Sequence, residues 1–389
     1  MENVKDVGIG MKISRVVAQA VRIPVSEPTR MSTRLLNRRE YLIVTVEVDG
    51  SDEKGIGYVY AGTTGGVLLK GATTNLLAPV LVGRDPDGIL DLWDRMYHET
   101  LLVGRRGLVL RAISAVDIAL WDLAAKRLGA PLAVMLGGSA RSVPAYASGG
   151  YYRPKAGPWN TAVVEEIRKN QALGFRDHKI KVGGLSIKED AARVEAAVEA
   201  VGADGRLALD ANNAYRSVAE AISATRAFEK AAGDLGLWWI EEPLSPDDVE
   251  GHRQIARTVE TPIATGELHQ TRWEFRQLIE QQAADIIQPD AGVLGGISEW
   301  IRVVRFAETF GIPIAPHWHA NLHAHLAAAS QNCLAVEHFM LEKDVYNFEL
   351  LVTAATRLKY KDGLVDVPDR PGIGIEFDEH CLKQYQIID

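Results

Sequence analysis

The stretch DHKIKVGG, residues 177 to 184, places Lys179 and Lys181 on either side of one apolar residue, in a segment with the pattern of a buried strand. Alternate residues of a strand share a face, so the two ammonium groups would stand side by side. Packing alone disfavours such a pair. The two lysines therefore indicate a functional site at the end of this strand.

This strand belongs to a regular alternation of short apolar runs and amphipathic helical stretches, such as EDAARVEAAVEAVG, that begins near residue 143. The alternation predicts a parallel (β/α) barrel of the modified TIM type. A doubly wound parallel sheet is the alternative, but no glycine-rich phosphate turn follows the first strand. The predicted barrel strands span residues 143–148, 177–182, 206–212, 237–242, 262–267, 284–290, 312–317 and 333–338.

The chain before the barrel has a different pattern. Residues 12–60 alternate in short apolar stretches around the polar segment SEPTRMSTRLLNRRE, which predicts an antiparallel meander with a long loop. Helical periodicity follows in 87–101 and 108–129, so this part reads as an α+β unit. We predict an α+β capping domain over residues 1–138, a barrel domain over 139–345 and a C-terminal segment, 346–389, that returns to the cap.

Composition narrows the class of protein. The 389 residues are 47% hydrophobic and 24% charged, with a formal net charge of -8 and no basic run, which argues against nucleic-acid binding. Cys333 and Cys381 are the two cysteines, too few for a disulfide framework or a Cys-based zinc site. No apolar run is long enough to span a bilayer. We expect a soluble, cytoplasmic protein without a membrane partner.

Ionisable side chains occur at the ends of seven consecutive predicted strands, and successive strand ends are 20 to 31 residues apart, about one βα unit per step. In a (β/α) barrel such side chains converge on the mouth. In chain order, these strand-end residues and their polar neighbours are Lys179 and Lys181, Asp210 and Asn212, Glu241 and Glu242, Glu267, Asp290, His317 and His319, and Glu337.

Three carboxylates on adjacent strands, Asp210, Glu241 and Glu267, form the predicted metal site. Any one of them alone could be a helix cap or a surface charge, but three gathered together would repel one another unless a cation joined them. Ligation by oxygen alone favours Mg²⁺. The spacing does not decide whether Glu241 or the adjacent Glu242 points inward.

The remaining strand-end residues suit proton transfer, and the predicted catalytic residues are Lys179, Lys181, Asp290, His317 and Glu337. Mutual repulsion and a nearby cation would lower the pKa of one lysine, so that it could accept a proton. The alternative is a structural role, in which the lysines pair with surface acidic residues. Asp290 would fix the tautomer of His317, although a lone histidine here is as often structural. Glu337 would act as an acid toward a substrate carboxylate if burial raised its pKa.

This constellation resembles the enolase superfamily, and within it the mandelate racemase subgroup. The resemblance rests on the K-x-K pair at Lys179 and Lys181 and on LDANNAY, WIEEP, TGE, QPD and PH at the later strand ends, and it covers nearly the whole chain. It implies that Glu241 is the ligand of its pair, that Lys181 is the base, and that His317 with Asp290 is the other acid or base. It also implies α-proton abstraction, an enediolate held by Mg²⁺, and a homo-oligomer.

Two outcomes follow from that shared step. Loss of the β-hydroxyl would make a dehydratase that converts a sugar acid, an aldonate or aldarate, to a 2-keto-3-deoxy acid, and we expect this outcome. Reprotonation on the opposite face would make a racemase or epimerase. Arginines in the cap loops favour a polyhydroxylated or doubly acidic substrate. The substrate-binding candidates are Arg34, Arg38, Arg39, Tyr151, Asn212 and His319.

Two other classes of protein are alternatives to a sugar acid dehydratase or racemase. HWHANLHAHL, with His317, His319, His323 and His325, could belong to a zinc hydrolase, but the last two fall in a predicted helix. A non-catalytic binding protein on the same scaffold is the second alternative, and it would be expected to lose some acid and base residues. The predicted set is complete here.

Overall fold

The computed structural model describes residues 10–139, 141–153, 157–341 and 345–388. Its N-terminal part contains an antiparallel meander of three strands, β1 (Ile13–Arg30), β2 (Leu35–Val48) and β3 (Lys54–Tyr60). The predicted long loop is wrong: β1 and β2 run through most of it and are joined by residues 31–34. Cross-strand pairs such as Thr29 with Leu36 satisfy the backbone of this polar segment, so it is extended despite its composition.

Helices cover one face of the meander. The longest of them, α5, packs against β3 so closely that a Cβ atom built on Gly57 would lie 2.0 Å from the carbonyl oxygen of Ala115. The apolar periodicity of residues 108–129 correctly predicted this helix. The cap helices are α1 (Gly66–Ala72), α2 (Ala78–Leu81), α3 (Ile89–Glu99), α4 (Leu101–Gly104), α5 (Leu108–Arg127) and α6 (Leu132–Met135), with a π-helical turn at Thr73–Leu77.

A parallel barrel follows. Its final strand pairs with its first, which closes the sheet and excludes the doubly wound alternative. The predicted seventh strand is reduced to Ile314, which bridges Ile287 on one side and Cys333 on the other. The strands are β4 (Val143–Gly149), β5 (His178–Lys181), β6 (Leu207–Asp210), β7 (Ile240–Glu241), β8 (Ile263–Thr265), β9 (Ile286–Ile287) and β10 (Val336–His338).

Amphipathic helices surround the strands. The first turn of α8 shows why the chain turns helical after β5: Ser186 and Glu189 form a reciprocal capping box. The helices are α7 (Trp159–Ala172), α8 (Ile187–Val201), α9 (Val218–Ala232), α10 (Val249–Ala256), α11 (Thr271–Glu280), α12 (Ala291–Leu294), α13 (Ile297–Thr309) and α14 (Ala320–Ala328), with a 3₁₀ turn at Gly233–Leu235.

The C-terminal segment contacts both earlier parts. It contains a 3₁₀ turn (Asn347–Leu351), β11 (Tyr360–Lys361), β12 (Leu364–Val365) and α15 (Glu379–Tyr385). β12 pairs with β4 of the barrel, whereas α15 lies against β1, and Gln386 bridges Val21. The boundaries 1–138, 139–345 and 346–389 stay a prediction. None of the described helices combines the length and apolar composition that a membrane span requires.

Candidate active site

The three predicted metal ligands lie together at the barrel mouth. Asp210 ends β6, Glu241 ends β7 and Glu267 follows β8, and one carboxylate oxygen from each lies within 4.8 Å of the others. Burial, and then the charge of Asp210, raise the pKa of Glu241, which is the expected effect of like charges in a small volume. A hard divalent cation would relieve this repulsion, so the donor set fits Mg²⁺.

The structure distinguishes the two glutamates that spacing left open. Glu241 points into the carboxylate cluster, where it accepts hydrogen bonds from Gln288 at 2.6 Å and Trp239 at 3.2 Å. Glu242 instead accepts a hydrogen bond from Asn213 at 3.0 Å, outside the cluster. Gln288 belongs to the quoted QPD motif, but its positioning role was not predicted from the sequence.

The two lysines lie on one face of β5 and differ in their nearest carboxylates, although Lys179 also lies 3.9 Å from Asp210. Lys181 pairs with Asp210, lies over the ring of Tyr151 at 5.1 Å and lines the central cavity. Lys179 is 1% exposed, and its Nζ lies 2.8 Å from Glu241 and 2.9 Å from Glu337.

The expectation that repulsion lowers a lysine pKa is therefore not met in this structure. Burial lowers the pKa of Lys181, but Asp210, Tyr151 and Glu241 together raise it by more than burial and the smaller opposing effect of Lys179 lower it. The sequence could not show that both ammonium groups are paired with buried carboxylates. A cation bound to the same carboxylates would weaken these ion pairs and lower the lysine pKa, which is the predicted direction.

His317 lies on the other side of the carboxylate cluster. Its Nδ1 is 2.9 Å from Asp290, which also caps α12, and its Nε2 is 3.4 Å from Glu267. Burial lowers the pKa of His317, but Glu267, Asp290 and Glu337 together raise it by more, to about 9. The expected His317–Asp290 pair is thus present in the geometry.

Glu337 does not have the predicted protonation state. Burial raises its pKa, but Lys179 and His317 lower it by more, to about 2, so the carboxylate is ionised. It also accepts a hydrogen bond from the backbone N–H of Trp318 at 2.8 Å. The condition on which Glu337 would act as an acid, a pKa raised by burial, is therefore not met in this structure, and the sequence did not reveal the lysine partner that prevents it.

A cavity of about 710 Å³ lies where the cap meets the barrel mouth, a size typical of small-molecule sites. Two of the six substrate-binding candidates do not line it. Arg38 donates to the carbonyl of Thr63 at 2.9 Å, and His319 is buried against the Tyr346 hydroxyl at 2.7 Å. We do not retain these two as substrate contacts. The candidates that do line the cavity are Arg34, Arg39, Tyr151 and Asn212.

Arg111 lines the cavity and was not predicted. It lies in α5, within an apolar run whose pattern predicts a buried core helix. Only the packing of the cap on the barrel brings it to the site. The last two histidines of the histidine-rich segment have structural contacts: His323 accepts a hydrogen bond from Ala291 and His325 accepts one from Ala133. Within the described ranges, the carboxylate trio is the group of residues arranged to hold a metal, which disfavours the zinc alternative.

Comparison with known families agrees with the fold. Residues 13–137 match the family described as Mandelate racemase / muconate lactonizing enzyme, N-terminal domain, and residues 162–381 match Enolase C-terminal domain-like. The chain belongs to the enolase superfamily: it is an enzyme, and Mg²⁺ is its cofactor. Within the superfamily it is a member of the mandelate racemase and muconate lactonizing enzyme family.

Three similar proteins illustrate the family. The arabinonate dehydratase of Saccharolobus solfataricus is 36% identical over 359 residues, 88% of this chain and 90% of the relative. The D-galactarolactone cycloisomerase of Agrobacterium fabrum is 31% identical over 391 residues, 97% of this chain and 100% of the relative. The crystal structure of L-talarate/galactarate dehydratase from Salmonella typhimurium LT2, liganded with Mg and L-lyxarohydroxamate, has a TM-score of 0.88 at 31% identity, covering 100% of this chain and 96% of that chain.

Proposed function

We propose that this enzyme dehydrates a sugar acid to a 2-keto-3-deoxy acid. The observation that carries the proposal is the placement of two proton-transfer groups at opposite ends of the carboxylate cluster. Lys181 contacts Asp210 at one end, His317 lies beside Glu267 at the other, and both line the same cavity. A substrate held between them has a base on one side and an acid on the other.

The residues divide the reaction between them. Lys181, as the neutral amine, takes the proton from the carbon next to the substrate carboxylate. His317, protonated and oriented by Asp290, gives a proton to the β-hydroxyl as the C–O bond breaks, and water leaves. The resulting enol tautomerises to the 2-keto-3-deoxy acid. Asp210, Glu241 and Glu267 would hold Mg²⁺, which when bound stabilises the negative charge that develops on the substrate carboxylate.

The similar proteins support this choice, since two of the three described above are sugar acid dehydratases. Racemisation or epimerisation of a 2-hydroxy acid is the second candidate. It is favoured by the same placement of Lys181 and His317, because a proton removed on one face could be returned on the other. The homo-oligomeric state expected from the family resemblance stays a prediction, which light scattering of the purified protein measures.

The test is a screen of the full chain, loaded with Mg²⁺, against mono- and diacid sugars in D₂O. We expect one or more of them to give a 2-keto-3-deoxy acid. Deuterium incorporation into unreacted 2-hydroxy acids, with no keto acid from any sugar acid, would replace the dehydratase with the racemase or epimerase.

A further inference from the structure

Charge is divided between the two ends of the active-site cavity. The acidic residues in its lining, Glu267, Asp290 and Glu337, all lie at barrel strand ends. Among its described residues, the cap contributes basic side chains to the lining and no acidic ones: Arg34, Arg39 and Arg111. The cap end of the cavity is therefore positive, and it faces the metal and proton-transfer groups.

Arg111 has an available guanidinium at this end. It is half-buried in α5, and its one hydrogen bond to a described residue runs from Nη1 to the carbonyl of Tyr60 at 3.3 Å. It forms no ion pair with a carboxylate of the residues described. Burial lowers the pKa of Arg111 while Asp290 and Glu267 raise it, which indicates that the guanidinium is within electrostatic reach of the catalytic end.

Arg39 lies on the other side of Tyr60. Its Nη1 donates to the Tyr60 hydroxyl at 2.8 Å, its Nε donates to the carbonyl of Val345 at 2.5 Å, and its guanidinium lies 4.4 Å from the centre of the Trp318 ring. The side chain is 2% exposed, yet Nη2 has no hydrogen-bond partner among the residues that the structure describes. A buried guanidinium without a counter-ion costs free energy, and an anion in the adjacent cavity would recover it.

We propose that Arg111, supported by Arg39 and Tyr60, forms a second anion site that binds the distal carboxylate of the substrate, so that this enzyme acts on a diacid sugar, an aldarate, rather than an aldonate. The inference rests on the proposed function. One substrate carboxylate is committed to the metal end, and the planar fork of an arginine matches a second one. A monoacid would leave Arg111 without an anion.

Matched pairs of sugar acids test this directly. The Mg²⁺-loaded full chain is assayed with galactarate against galactonate and with glucarate against gluconate. We expect kcat/KM to be at least about 100-fold higher for the diacid of the pair that is turned over. Equal or better turnover of the monoacid would overturn the diacid assignment while leaving the dehydratase intact. A preference for 6-phosphogluconate over both gluconate and glucarate would also overturn it.

Equilibrium binding separates this inference from the reaction itself. In the Lys181→Ala variant loaded with Mg²⁺, calorimetry should show tighter binding of galactarate or glucarate than of the matched monoacid, whether or not turnover is ever observed. Equal affinities within both pairs would count against the anion site. Absence of keto acid from every sugar acid would instead count against the proposed function.

Variants assign the preference to Arg111. Arg111→Met should lower kcat/KM for the diacid by about 100-fold and leave that for the monoacid within about 3-fold, and Arg111→Lys should restore part of the loss. The control is Arg106→Met: Arg106 lies in the same cap segment but is exposed, pairs with Glu274 and does not line the cavity. If Arg111→Met lowered kcat/KM equally for the diacid and the monoacid, the role of Arg111 would be purely structural. If Arg106→Met removed the preference for the diacid, the preference would come from a diffuse charge effect. Either result overturns the site.

Discussion

Lys179 donates to both carboxylate oxygens of Glu241, each at 2.8 Å. This bidentate contact holds the metal-ligand carboxylate in place and leaves Lys179 outside the cavity lining, whereas Lys181 lines it. The two lysines of the K-x-K pair were both expected to be catalytic. Their contacts favour different roles: Lys179 as a positioning residue for Glu241 and Glu337, and Lys181 as the base.

Replacing the proposed base tests this division. Lys181→Ala should lower kcat by at least about 10³-fold, since general-base catalysis contributes on that scale, and should also stop deuterium exchange at the α-carbon. Keto acid formation and proton NMR in D₂O measure the two effects. Lys188→Ala, which removes an exposed lysine of α8, serves as the control and should be fully active. Full activity of Lys181→Ala would refute the assignment.

The adjacent glutamates offer a matched test of the metal site. Glu241→Gln should weaken Mg²⁺ binding by at least about 10-fold, because it removes one anionic ligand of the cluster. Glu242→Gln should retain the metal, because the Glu242 carboxylate accepts its hydrogen bond from Asn213 outside the cluster. Calorimetric titration with Mg²⁺ measures both affinities, and the reverse result would exchange the two assignments.

Removing the metal is expected to remove activity. Treatment with a chelator should abolish keto acid formation, and added Mg²⁺ should restore it, because the buried carboxylates then regain the charge that balances them. Activity that survives exhaustive chelation would contradict a metal role for the trio. Restoration by Zn²⁺ but not by Mg²⁺ would revive the zinc alternative.

Replacing the acid should separate proton abstraction from elimination. In His317→Asn, Lys181 can still exchange the α-proton with solvent, but no protonated imidazole assists the leaving hydroxyl. We expect keto acid formation to fall by about 100-fold or more while deuterium still enters unreacted substrate. His319→Asn is the comparison, because His319 is buried against Tyr346 and does not line the cavity. Simultaneous loss of exchange and elimination in His317→Asn would contradict the division of roles.

Buried His338 gives a prediction on stability. Its ring stacks on Phe175 with centroids 5.3 Å apart, and burial lowers its pKa to about 4. An unfolded histidine titrates near 6.5, so only the unfolded chain takes up this proton as the pH falls from 7.5 to 5. The free energy of unfolding therefore falls by about 2 kcal/mol. Urea unfolding should show that the free energy of unfolding falls less between pH 7.5 and pH 5 in His338→Gln than in the parent. Replacing the exposed His98 in the same way should leave the loss unchanged.

The barrel and the metal site were predictable because both depend on local repetition. Each strand end carries an ionisable residue about one βα unit after the previous one. Asp210, Glu241 and Glu267 could therefore be grouped from the sequence alone. The seventh strand was over-predicted, since an apolar run such as 312–317 does not reveal that only Ile314 finds bridging partners.

Features that depend on contacts between distant segments could not be predicted. Arg38 and Arg39 are neighbours in β2, and the alternation of a strand sends them to different surroundings; only Arg39 reaches the cavity. Arg111 lies within an apolar helix and becomes a cavity residue only when the cap packs on the barrel. The ionised state of Glu337 depends on Lys179, which is far from it in sequence.

The pairing of Val21 with Gln386 joins the first strand to the segment after the last helix. During synthesis, the barrel strands leave the ribosome before this partner of β1 exists, so the cap cannot complete its contacts until Gln386 has emerged. Catalytic competence should therefore arise late and abruptly in biosynthesis, and a stalled chain lacking only its final helix would carry every proposed catalytic residue within an unfinished enzyme.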